Sequence, residues 1–166
     1  MERRSIEAIV RALTAANARY LIVGGLAVVA HGHLRFTADV DLVLDLDEAN
    51  LLRATGAFAT LGYRPRAPVD LREFCSAERR TEWARDKGMT VFSLNSDQHP
   101  ATEIDVFVEA PFDFAAAYRV AARKEIAPGL MATFVGLDDL IGLKERAARP
   151  QDLEDVARLR ERGAGA

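Results

Sequence analysis

The sequence predicts an α+β fold: a small mixed β-sheet with helices packed on one side and a short helical C-terminus. Three observations predict it. Residues 39–44 and 102–109 alternate their side chains with the period of two that marks a strand. Residues 4–17 place Ile6, Ile9, Val10 and Leu13 at helical spacing. Helical patterns then occupy the chain from 137 to 162. No internal repeat or low-complexity linker divides the 166 residues. One domain over 1–166 is therefore expected, with a sheet-containing core at 1–136 and C-terminal helices at 137–162.

The elements follow in order. The first amphipathic helix ends at Asn17-Ala18, and Tyr20-Leu21-Ile22-Val23 is a short buried strand. Gly24-Gly25 breaks it, and Leu26 to His31 is a short helix closed by Gly32. Asp39 to Leu44 is a strand with carboxylates on one face and Val40 and Leu42 on the other. Asp47-Glu48 opens a helix running to Leu61, its acids at the positive end of the helix dipole. The two prolines within 63–71 make that stretch loop or edge strand. Residues 72–87, dense in charge, are a helix or an irregular insertion. Strands are expected at Met89–Leu94 and Thr102–Glu109 around a polar turn. A hairpin of Tyr118–Ile126 and Leu130–Val135 turns at Pro128-Gly129. Asp138 or Asp139 caps a helix to Ala147, Pro150 starts the last helix, and the Gly163 to Ala166 tail is expected to fray.

Composition bounds the function. About half the residues are apolar, 28% are charged and the net charge is −3, which is the profile of an ordinary globular domain rather than a disordered chain or a strongly basic nucleic-acid coat. The single cysteine, Cys75, rules out an intramolecular disulfide and a cysteine-rich zinc site. The run from Tyr20 to Ala30 is too short to span a bilayer, and the N-terminus lacks the apolar core of a signal peptide. A cytoplasmic protein with no membrane partner is expected.

The chemistry gathers on acidic positions. Asp39 and Asp41, two apart on a strand, project from one face. Asp105 sits on a later strand with its own alternation, and Glu103 competes with it on the same face. If the two strands are neighbours, three carboxylates converge. Carboxylate oxygens suit magnesium, which keeps several waters and takes phosphates to complete its shell. Two such ions activate an attacking hydroxyl and stabilise a leaving pyrophosphate. Upstream, Gly24-Gly25 at a strand exit lets backbone N–H groups approach an anion. Aspartate is a poor strand former, so a pair of them on one strand asks for a reason.

Gly24-Gly25, a gap of thirteen residues, then Asp39-Val40-Asp41-Leu42 resembles the signature of the DNA polymerase β-like nucleotidyltransferase superfamily. The fuller string, with His31-Gly32, Arg35 and Thr37 in the gap, resembles minimal bacterial nucleotidyltransferases, including AbiEii-like toxins. Leu140-Ile141-Gly142-Leu143-Lys144 and Pro150-Gln151-Asp152-Leu153-Glu154-Asp155 resemble the helical end of that group. The resemblance is sharpest over 20–44 and 137–158 and weakest over 63–100.

The resemblance implies a nucleotidyltransferase fold and a magnesium-dependent transfer of NMP from an NTP to an acceptor hydroxyl, on an RNA end or a protein side chain. It also implies two Mg2+ ions and an antitoxin partner for a toxin of a toxin–antitoxin pair. The alternative is a non-catalytic nucleotide- or partner-binding module of the same fold. Asp39, Asp41 and Asp105 are then the catalytic and metal-binding residues, with Asp105 assisting as general base. Gly24, Gly25, Arg35, Thr37 and Lys144 are the nucleotide-binding residues, against the alternative that Lys144 is a solvated helix residue. Asp152 and Asp155 read as site residues or as first-turn acids of the last helix. Trp83, among Arg79, Arg80, Arg85 and Lys87, either covers the core edge or stacks an acceptor base. His31 packs or caps its short helix; His33 and His99 read as surface residues.

Overall fold

The computed structural model describes residues 1–163. In chain order the elements are α1 (Arg3–Ala15), β1 (Tyr20–Ile22), α2 (Gly24–Ala30), β2 (Asp39–Leu44), α3 (Glu48–Thr60), β3 (Arg64–Pro65), a 3-10 turn (Leu71–Cys75), α4 (Ala77–Lys87), β4 (Val91–Asn95), β5 (Glu103–Phe107), α5 (Phe114–Arg119), β6 (Ala122–Ala127), β7 (Leu130–Phe134), α6 (Leu137–Ala147) and α7 (Pro150–Gly163). The last three residues of the expected frayed tail, 164–166, lie outside the described residues. The strands form one mixed sheet in the order β3-β4-β5-β2-β1-β7-β6. The β2–β5 and β1–β7 pairs are parallel; the other four are antiparallel. The fold is thus α+β with a mixed sheet. No described helix is long and apolar enough to cross a membrane.

The two faces of the sheet differ. Val40, Leu42, Ile104 and Val106 are buried on one face, and Phe92, opposite Val106 across the β4–β5 ladder, shares that face. Phe92 stacks on Phe74 at 5.1 Å and on Trp83 at 5.2 Å, so the 3-10 turn and α4 cover this face beside α1 and α3. The other face carries the acids, and α6 borders it. The expectation of helices on one side therefore holds for the apolar face alone. The C-terminal pair is seated by the buried Leu140 of α6 and Leu159 of α7, and Lys144 of α6 ties the two helices together through Asp152 and Asp155.

Local signals account for the ends of most elements. Asp47 caps α3, its carboxylate accepting from the Asn50 N–H at 3.2 Å. Ser76 caps α4 in the same way. Two expectations are corrected. Residues 118–121 do not begin the hairpin: Asp113 caps α5 by accepting from the Ala116 N–H at 3.0 Å, and the alanines that follow favour helix. Tyr118 is helical and stacks on Phe114 at 5.5 Å, four residues before it. Nor is Asp138 or Asp139 the cap of α6; Gly136 holds that position, and both acids lie in the first turn, where the dipole still favours them.

Candidate functional site

The register of β2 against β5 assembles the acids. Asp41 lies opposite Asp105 and Asp39 opposite Glu103, so all four carboxylates emerge on the face away from the core. Glu103 turns to the Arg66 guanidinium at 3.2 Å, whereas Asp105 faces a cleft with Asp39 and Asp41. Asp105 Oδ1 accepts a hydrogen bond from the Ser93 hydroxyl at 2.5 Å, across the β4–β5 pair. That bond orients the carboxylate and leaves its other oxygen free of this partner.

The Gly24-Gly25 turn abuts this cluster. The Val23 N–H donates to the Asp41 carbonyl at 2.9 Å, which ties the exit of β1 to β2. Gly24 has φ +62°, in the left-handed region that favours glycine. A side-chain carbon on Gly24 would overlap the Asp41 carboxylate, and one on Gly25 would stand 2.6 Å from Thr37 Oγ1. Both glycines are therefore required by the close approach of site residues as well as by the turn.

A cleft of about 700 Å³ opens here, within the range typical of small-molecule sites. It is lined by Gly24, Gly25, Arg35, Thr37, Asp39, Asp41, Asp105 and Lys144, so the positions assigned from the sequence share one space. A smaller apolar hollow of about 220 Å³, floored by Ile6, Leu26, Val29 and Phe134, contains none of them.

Charge in the cleft is unevenly balanced. Burial, and then the negative charges of Asp105 and Asp39, push the Asp41 carboxyl up to about 6; the Lys144 ammonium and the Gly25 backbone amide oppose this. Lys144 is not a solvated helix residue. It is 4% exposed, with its Nζ at 2.9 Å from Asp152 Oδ1 and 2.7 Å from Asp155 Oδ2. Asp155 also takes the Arg35 guanidinium at 2.5 Å. Asp152 and Asp155 are thus partners of the cleft's cations; Asp152 is also a first-turn acid of α7, whereas Asp155 lies beyond that turn.

Sequence reasoning missed Ser93, whose role depends on strand register. It also missed Phe36, 82% exposed at the cleft rim beside Arg35. It gave Trp83 a base-stacking alternative that burial removes, since the ring is 1% exposed inside the core. His99 is not a free surface residue: its Nδ1 is 2.9 Å from Ser5 Oγ and its ring stacks on Tyr63. His31 ends α2, with Nε2 2.8 Å from the Val135 carbonyl oxygen.

Among the described residues, no three His, Cys, Asp or Glu side chains are gathered as a ready-made cation cage. Magnesium seldom uses such a cage, taking one or two carboxylates plus phosphate and water. The residues present fit that habit: Asp41 sits beneath two like charges that raise the cost of its ionisation, a strain a divalent cation relieves. The chain matches no known family model and no curated protein.

Proposed function

We propose that the protein is a magnesium-dependent nucleotidyltransferase that moves an NMP from an NTP to an acceptor hydroxyl. The observation that carries this reading is the register pairing of Asp41 with Asp105 beside the Gly24-Gly25 turn, in a nucleotide-sized cleft. Asp39, Asp41 and Asp105 would hold the magnesium, which when bound offsets phosphate charge and favours ionisation of the acceptor hydroxyl.

The chain's own groups have separate tasks. Gly24 and Gly25 let the backbone approach the triphosphate, and Arg35, Thr37 and Lys144 face its charge. Asp105, oriented by Ser93, accepts the proton of the attacking hydroxyl. The oxygen attacks the α-phosphorus, the bond to the bridging oxygen breaks, and pyrophosphate leaves with that electron pair. The acceptor we favour is an RNA end or a protein side chain, and control by an antitoxin follows from the same resemblance. The lone, buried Cys75 suits a reducing cytoplasm.

The test is transfer of label from each α-labelled NTP to total RNA and total protein with Mg2+. Wild type should label one of the two fractions, and Asp39→Asn/Asp41→Asn should label neither. If wild type raises its melting temperature with Mg·NTP but transfers no label to either fraction, the protein binds nucleotide without turnover.

A further inference from the structure

Two cations reach the cleft, Arg35 from the connection between α2 and β2 and Lys144 from α6, and one carboxylate pairs with both. Asp155, on α7, is 2% exposed; its Oδ2 accepts from Arg35 Nη1 at 2.5 Å and is ion-paired with Lys144 Nζ at 2.7 Å. Asp152 pairs with the lysine alone: Oδ1 accepts its hydrogen bond at 2.9 Å, and the other oxygen, Oδ2, is buried without a hydrogen-bond partner. Buried ion clusters are weak sources of stability, because desolvation offsets attraction. The apolar Val156 and Leu159 already seat α7. The cluster stands instead where its cations meet the site. The Arg35 guanidinium carbon lies 3.4 Å from where a Gly25 side-chain carbon would be, so it covers the glycine turn. Lys144 lines the same cleft as Asp41, Asp39 and Asp105.

Both cations keep donors for a ligand. An ammonium has three N–H donors and a guanidinium five. Lys144 donates one hydrogen bond, to Asp152, and pairs with Asp155 by charge, and Arg35 bonds only Asp155 and the Phe36 carbonyl among the described residues. Both side chains lose much rotamer freedom on being fixed. Fixing them before the ligand arrives strengthens binding.

We propose that Asp155 is a positioning residue: its shared carboxylate holds Arg35 over the Gly24-Gly25 turn and Lys144 beside Asp41, so that a polyphosphate meets cations already in place. This inference rests on the nucleotide reading above. It makes α7 part of the site and assigns a role to a residue that touches neither phosphate nor metal.

The test is calorimetric titration of the full chain with Mn2+ alone and with MgATP. The variants are Asp155→Asn, which keeps shape and removes charge, Arg35→Ala, and the two combined. Asp155→Asn should bind Mn2+ as wild type does and MgATP about tenfold more weakly or worse. The combined variant should be within about threefold of either single one, because both remove the same arrangement. A folded Asp155→Asn with wild-type MgATP affinity overturns the proposal, as do losses that multiply in the combined variant. If Asp155→Asn does not fold, Lys144→Met/Asp155→Asn removes the stranded cation. In that background Arg35→Ala should have no further effect on MgATP affinity, and a further loss of about tenfold overturns the proposal. Wild type that binds no MgATP overturns the nucleotide reading itself and this inference with it. Failure of Asp155 alone leaves wild-type binding intact.

Discussion

Lys144 carries its charge into a place that largely excludes water, and it is tolerated there because two carboxylates meet it. Removing one member of such a cluster leaves the others uncompensated. Lys144→Ala should therefore destabilise the protein by roughly 3–5 kcal/mol, read as a fall in denaturation midpoint. Lys144→Ala/Asp152→Asn should recover part of that loss; a midpoint equal to wild type in the single variant would show the lysine to be dispensable to the fold. Asp41 makes the opposite prediction. Its folded pKa, about 6, lies above the ordinary 3.8, so the folded state binds a proton more readily than the unfolded state does. The stability this contributes is complete below pH 3.8 and is lost as pH rises through 6. Metal-free Asp41→Asn should accordingly melt higher than wild type at pH 7.5, by a gain on the order of 1–3 kcal/mol, and the gain should vanish near pH 4. Equal melting at both values would mean that Asp41 carries no such strain.

At the scale of elements, the strands and long helices were legible because their signals are local. Val40 and Leu42 alternate with Asp39 and Asp41, and Ile9, Val10 and Leu13 mark one face of α1. The short helix α5 was hidden because a single turn of Ala-Ala-Ala between Asp113 and Tyr118 carries no periodicity, and only the cap distinguishes it. The joint between α6 and α7 holds a local strain that the sequence did not announce. Ala148 ends α6 at φ 50°, a conformation that costs a residue with a Cβ roughly 1–2 kcal/mol. Its side chain is exposed, so Ala148→Gly sacrifices little packing. That variant should raise the melting temperature by about 2–4 °C for each kcal/mol relieved; a lower melting temperature would mean that the extra freedom of glycine in the unfolded chain outweighs the relief.

For the molecule as a whole, the site lies where two parallel strands meet at the middle of the sheet, and distant segments complete it. The residues on β2 and at the glycine turn could be read from the sequence, since spacing alone puts Asp39 and Asp41 on one face. What joined them to Asp105 was strand order, and what joined Arg35 to Asp155, 120 positions later, was the packing of α7. Neither is encoded in any window of neighbouring residues, and polar partners leave no hydrophobic pattern to follow. The proposed function requires that this cleft gather divalent cation and polyphosphate between Asp39, Asp41, Asp105 and the Gly24-Gly25 turn. The most direct measurement is an anomalous-scattering map from crystals of the protein grown with Mn2+ and a non-hydrolysable ATP analogue. The map should show manganese bound by Asp39 and Asp41, with Asp105 facing the same metal ions and the triphosphate over the glycine turn. Manganese bound elsewhere, or a cleft that stays empty of both at saturating concentrations, would contradict the proposed function.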